Sequence, residues 1–402
     1  MTEETQEITG IRLTEVTQDT FGSYISNWLR RVRAGDLGSL PIIVGLLAIF
    51  AYFGAQNPVF FGTRNFVNLL LQMAGITTMA IGVVFILLIA EIDLSIAYVS
   101  GVGGVTMTLL LRESGPAWPW PAAVGTALLV TTLIGLLHGL IITKASVPSF
   151  VVTLSGLLAW SGVVLIMTTK WTTAGTIVIQ NKVVLGIANQ YLPDMWGWAL
   201  AIFIILVSAT LQIVQRQTLI RQNLPAKPMS VLIVQILGLS LIVAFVVWYA
   251  NQDRGVPVVT VIILILLIFW SFVASRTRFG RYVYAVGGNP EAARRAGINV
   301  DRIRIYVFMA SRLRSVDTNT GGGNLLLNAI AAAVIGGTSL FGGSGRVSSA
   351  LLGALGIASV ENGMGLLGLA SGEKFVITGL VLLAAVLIDS FSRRSRASSG
   401  IA

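Results

Sequence analysis

The alternation of apolar and polar positions resolves the chain into long hydrophobic runs separated by short polar segments. The runs fall at residues 40–56, 66–90, 94–111, 119–143, 148–168, 196–214, 229–250, 256–274, 325–341, 347–360 and 375–390. Most approach the roughly 20 residues that cross about 30 Å of hydrocarbon. Each predicts a helix, because a backbone in lipid must satisfy its own hydrogen bonds. Ahead of them Phe21, Tyr24, Ile25, Trp28, Leu29 and Val32 recur at helical spacing beside Arg30, Arg31 and Arg33. That spacing predicts an interfacial helix on the inner leaflet. Residues 1–19 are polar and hold no hydrophobic region of a cleavable leader. Residues 169–195 offer few helix signals and are expected as an external loop.

Counting crossings from a cytoplasmic N-terminus, six runs bring the chain back inside at Gln215, beside Arg216, Arg221 and Lys227. A further pair leads out and back to residues 275–304. This segment has seven arginines against Glu291 and Asp301, and the positive-inside bias places it in the cytoplasm. The pattern then breaks. Residues 305–311 would make about 10 Å of helix, too little to cross. Three full crossings after that point would leave Arg393, Arg394 and Arg396 outside, against the same bias.

Composition sharpens the class. Apolar residues make up 55% and charged residues 11%, against about 45–50% and about 25% in soluble domains. The expectation is an all-α, polytopic transmembrane bundle of about 10–11 hydrophobic segments. A cytoplasmic tail is expected at 1–39, a membrane domain at 40–390, and a second cytoplasmic tail at 391–402. The net charge of +10 lies in clusters beside the spans, which sets topology and lipid contact and does not require nucleic acid. No cysteine is present and His138 is the single histidine, which excludes disulfides, thiolate chemistry and multi-histidine metal sites. His138, inside an apolar run, is expected as a packed or helix-end side chain.

Three stretches carry candidate chemistry. Asn289 can cap a short helix, with Pro290 at its first position and Glu291 at its positive end. Arg294 and Arg295 complement the other end, and Gly297 supplies a left-handed stop. About two turns long, such a helix needs a partner surface. Glu91 and Asp93 are acids inside the hydrophobic block, and Asp93 and Ser95 before an apolar run resemble a helix start. They mark either a break lining a polar pathway or a cytoplasmic turn. Gly336, Gly337, Gly342, Gly343 and Gly345 lack the Lys-Ser/Thr of a phosphate loop, and suit close packing or a re-entrant turn. No catalytic set appears, so neither an enzyme nor a cofactor site is expected.

Residues 288–298, Gly-Asn-Pro-Glu-Ala-Ala-Arg-Arg-Ala-Gly-Ile, resemble the cytoplasmic coupling segment of bacterial ABC sugar-importer permeases of the ribose/xylose type. Ile92-Asp93-Leu94-Ser95 and residues 334–345 are similar to two further motifs of that family, in the same order. The resemblance covers roughly residues 65–389, and the extra hydrophobic pair around residues 212–254 looks most like the xylose-type branch. Glu91 and Ala97 stand where the family usually has glycine. The resemblance implies that Asn289, Pro290, Glu291, Ala292, Ala293, Arg294, Arg295 and Gly297 dock on a cytoplasmic ATPase. It implies that Glu91, Asp93, Leu94 and Ser95 line the pathway, with Gly336, Gly337, Gly342 and Gly343 packing helices. The implied partners are ATPase subunits, a second permease subunit, an external sugar-binding protein and membrane lipid. Where the family has one further helix, this chain passes from Ala310-Ser311 directly to Arg312. A proton-coupled carrier using Glu91 and Asp93, and a non-transporting subunit, are the alternatives.

Overall fold

The computed structural model describes residues 21–33, 40–171, 179, 181–224, 226–312 and 323–398. In chain order the helices are α1 (Phe21–Arg33), α2 (Leu40–Gln56), α3 (Thr63–Leu88), α4 (Ile96–Leu111), α5 (Trp120–Lys144), α6 (Ser149–Trp171), α7 (Lys182–Asn189) and α8 (Asp194–Arg221). They continue as α9 (Met229–Asn251), α10 (Val258–Arg276), α11 (Arg278–Gly288), α12 (Pro290–Arg295), α13 (Val300–Arg312), α14 (Gly323–Ile335), α15 (Ser349–Leu366) and α16 (Ser371–Ser398). Every expected hydrophobic run is helical over most of its length. Among the described residues α3, α5, α6, α8, α9 and α10 are long and apolar enough to cross a membrane.

Local sequence sets the helix starts. Pro119, Pro148, Pro193, Pro228 and Pro257 each stand immediately before a helix, where a fixed φ is preorganised and the missing N–H costs nothing. Elsewhere a side-chain oxygen caps. Asn181 accepts from the amides of Val183 and Val184, and Thr277 accepts from Gly280. The Asn181 cap opens α7 inside the stretch expected as a plain loop, so that expectation is corrected. Val183, Val184, Leu185 and Ile187 make α7 amphipathic, a pattern too short to stand out.

α3 is the axis of the fold. In its most apolar stretch 72% of residues are buried, against 11–22% in α6, α8, α9 and α10, whose outer faces are left for lipid. Small residues let the neighbouring backbones approach closely. A Cβ on Gly353 would collide with the Ala332 carbonyl, and Gly135 and Gly139 of α5 leave room only for the backbone of α13 at Phe308 and Ile305.

Hydrogen bonds define the two ends of the bundle. At one, Asn57 donates to the Leu366 carbonyl, 3.2 Å, and Leu192 N–H donates to the Val256 carbonyl, 2.8 Å. At the other, Gly343 N–H donates to the Leu88 carbonyl, 3.0 Å, and Tyr284 hydroxyl donates to the Gly345 carbonyl, 2.9 Å. The arginine-rich α11–α12 segment marks this second end as the inner one.

The late helices resolve the miscount. α14 runs inward to the glycine turn beside Leu88, α15 runs outward to Leu366 beside Asn57, and α16 starts back from that outer end at Ser371. The described part of α13 climbs part of the way. Its last described residue, Arg312, lies beside Thr131, half-way along α5. Residues 313–322, including Asp317, lie outside the described residues, as do residues 1–20. α14 stops at Ile335 rather than running to residue 341, because Gly336 and Gly337 (φ +89°) turn the chain.

Candidate functional site

The α3–α4 break is built from residues 89–95, between Leu88 and Ile96. Ala90 takes a left-handed φ of +59°, strained for a residue with a Cβ. Neighbouring elements satisfy the freed backbone: Ser149 and Thr153 of α6 bind the Ile92 N–H and carbonyl at 3.3 and 3.2 Å. Asp93 Oδ1 accepts from the Ser95 amide (3.0 Å) and hydroxyl (2.8 Å), so Asp93 rather than Ser95 organises the start of α4. Glu91, Asp93 and Ser95 are buried, whereas Leu94 is half-buried.

Two arginines on α13 hold these acids. Arg304 Nε lies 3.0 Å from Glu91 Oε1; the arginine side chain keeps 25% exposure and the buried glutamate 11%, while Nε itself is buried and makes no hydrogen bond among the described residues. Arg312 pairs with Asp93 at 2.5 Å, each side chain about 1% exposed. Arg312 Nη2 also donates to Ser95 Oγ at 2.8 Å. The Ser95 hydroxyl lies 3.3 Å from His138 Nδ1, and Trp160 donates to His138 Nε2 at 3.1 Å. His138 is therefore a packed member of this polar chain. Arg312 Nε and Nη1 are buried and have no hydrogen-bond partner among the described residues.

The glycine-rich turn joins the same place from the other side. A Cβ on Gly342 would press on Ala90 and the Gly287 carbonyl at 2.7 Å, and one on Gly343 would meet Gly288 at 2.8 Å. Gly287 in turn leaves no space for a Cβ against the Leu88 carbonyl. Gly336 packs against Ser349, while Gly337 faces open space and serves the turn alone. Burial raises the Tyr284 hydroxyl above its ordinary range, so it stays a neutral donor to Gly345. The three stretches singled out by sequence thus meet at the inner end of α3.

α12 sits beside this junction. Asn289 caps it by accepting from Ala292 N–H at 3.0 Å, and Gly297 has φ +80°. Ala292, Glu291, Arg294 and Arg295 are exposed, with Glu291 and Arg294 paired to each other. Pro290 is half-buried. Ala293 is 4% exposed and packs into the core with Val300 and Ile303. That corrects the expectation that Ala293 docks on a partner, leaving Ala292 as the small exposed residue. Sequence reasoning also missed Arg304, Arg312 and Gly287. A basic residue at each second turn of α13 was the available signal for the two arginines.

Residues 65–388 match the family described as the permease component of the branched-chain amino acid transport system. The chain belongs to this permease family. It is 34% identical over 376 residues to the xylose transport system permease protein XylH of Escherichia coli K12, covering 89% of this chain and 93% of that one. The XylH of Haemophilus influenzae is 31% identical over 381 residues, covering 90% and 99%. The ribose import permease protein RbsC of E. coli K12 is 29% identical over 362 residues, covering 87% and 92%. Its place is therefore among ribose/xylose-type ABC sugar permeases, multi-pass proteins of the bacterial cytoplasmic membrane that are transport components rather than enzymes. No solved structure matches it. In the first comparison, 89% of 402 residues is about 358, so about 18 of the 376 aligned positions have no residue of this chain opposite them.

Proposed function

We propose that the chain forms the translocation path of an ATP-driven importer for a monosaccharide, xylose or a close relative. It would work with a second permease subunit, two cytoplasmic ATPase subunits and an external sugar-binding protein. The observation that carries this reading is the physical link from α12 to the helix break. Gly287 and Gly288 abut the glycine turn and the α3 terminus, and Arg304 pairs with Glu91. A push on exposed Ala292 would reach the break through packed backbone rather than through loose side chains. Gly336, Gly337, Gly342 and Gly343 belong to that mechanism as close-contact and turn positions. Glu91, Asp93, Leu94 and Ser95 are the part of the path that moves.

The test is uptake of labelled xylose by proteoliposomes holding the chain with its ATPase and binding protein. Uptake is expected to need ATP and to persist when the proton gradient is collapsed. Uptake that follows the gradient and ignores ATP would support a proton-coupled carrier instead. Arg304 and Arg312 engage both acids of the break, which speaks against that carrier.

A second reading, a subunit that assembles without transporting, is favoured by Arg312. A guanidinium half-way along α5, with two nitrogens unpaired among the described residues, is a costly arrangement.

A further inference from the structure

The outer end of α3 carries a second polar constellation that the helix break does not explain. Asn65, Asn68 and Gln72 of α3 and Glu361 and Asn362 of α15 line a cleft of about 410 Å³. Ligand pockets usually measure about 300–1,000 Å³ and are mostly apolar. This one is lined by carboxamides and a carboxylate, on helices otherwise built for lipid and packing.

The hydrogen bonds fix which end of each amide faces the cleft. The Phe60 carbonyl can only accept, so it takes the Asn65 Nδ2, 2.9 Å away. Asn65 Nδ2 also donates to Asn362 Oδ1 (2.8 Å), and Asn362 Nδ2 returns a bond to Asn65 Oδ1 (3.0 Å). The remaining hydrogen of Asn362 Nδ2 reaches Gln72 Oε1 at 3.1 Å. Gln72 Nε2 is left unengaged among the described residues. Arg254 can only donate, and its Nη2 holds Asn68 Oδ1 at 2.7 Å, which leaves Asn68 Nδ2 unengaged among the described residues. Buried Asn328 donates to Glu361 Oε1 at 2.6 Å, which leaves the other carboxylate oxygen as an acceptor. The cleft therefore presents two amide donors and one carboxylate acceptor, each held in place by a bond behind it.

We infer that this cleft is a contact site for a neutral polyhydroxylated ligand, a monosaccharide, at the outer mouth of the permease. A sugar hydroxyl both donates and accepts, so adjacent hydroxyls can accept from Gln72 and Asn68 and donate to Glu361. Donors fixed in advance lose little entropy on binding. The inference rests on the sugar-import reading, but its test does not require transport. The same face of α3 continues to Gly75, where an added side chain would meet nothing within 4 Å.

The absence of native cysteine allows a direct measurement. Gly365 lines the cleft, and an added side chain there would also meet nothing within 4 Å. Gly365→Cys, with Gly75→Cys as a second reporter, is placed in the full chain in nanodiscs and labelled with a membrane-impermeant maleimide. D-xylose and D-ribose are titrated, with betaine at equal osmolality as control. Sugar is expected to slow labelling several-fold while betaine does not. Adding Gln72→Leu or Glu361→Gln should raise the half-protecting concentration about tenfold, the loss of one hydrogen bond to the ligand. Glu113→Gln, in the loop after α4, should leave it unchanged. Labelling at both reporters that no sugar slows overturns the site, whether or not the complex transports. Sugar protection in a complex that shows no ATP-dependent uptake would keep the site and count against the proposed function.

Discussion

The two ion pairs at the helix break use the same chemistry and teach opposite lessons. Arg304 meets Glu91 near the inner surface, where both side chains keep some contact with water. Arg312, two turns further along α13, meets Asp93 in the interior with two of its nitrogens unpaired among the described residues. An ion pair at the edge adds little stability and can break and reform. A buried pair must offset the desolvation of both charges, and it does so only with full hydrogen bonding. The first suits a part that moves. The second places an arginine at mid-depth, where α13 brings Arg312 beside Thr131. Three changes probe this contrast.

The largest effect is expected at the buried pair. Asp93→Asn alone strands a buried guanidinium and should destabilise the solubilised protein by about 3–5 kcal/mol. Asp93→Asn combined with Arg312→Met should recover most of that loss, read as thermal or denaturant unfolding in detergent. A double variant as unstable as the single one would show that the pair is net stabilising.

Next in size is Ala292→Trp on the exposed face of α12. It should lower ATP-coupled uptake about tenfold or more, since a bulky group displaces a docking surface by more than its packing tolerates. ATP hydrolysis and the amount of folded permease should stay near normal. Coupled transport at the native rate would remove α12 as the docking element.

The smallest stability change is expected at the edge pair. Glu91→Gln should cost about 1 kcal/mol or less, yet it should alter the uptake rate more than it alters unfolding. An unfolding shift as large as that of Asp93→Asn would erase the distinction between the two pairs.

The helices were legible because lipid imposes long apolar runs, and α12 because its cap, its proline and its glycine stop are adjacent in sequence. α7 was missed because eight residues carry too little periodicity to register. The pairings were not legible, since Asp93 and Arg312 lie 219 residues apart and Asn65 and Asn362 lie 297 apart. Only the packing of α13 and α15 on α3 brings them together. The inward face of Ala293 was hidden for the same reason: a helix this short shows its buried side only once α13 is placed. By contrast, the shortness of residues 305–311 was visible from length alone, and the structure turns it into a buried charge.

The short apolar stretch 305–311 leaves Arg312 buried at mid-depth, at a cost in stability. The most direct measurement inserts about 18 apolar residues after Ser311. It compares the two chains, each with ATPase and binding protein, for unfolding temperature and for ATP-dependent xylose uptake per assembled complex. The lengthened chain is expected to be more stable and to take up more sugar. A chain that loses stability and uptake on insertion, while the native one runs at full rate, would contradict this expectation.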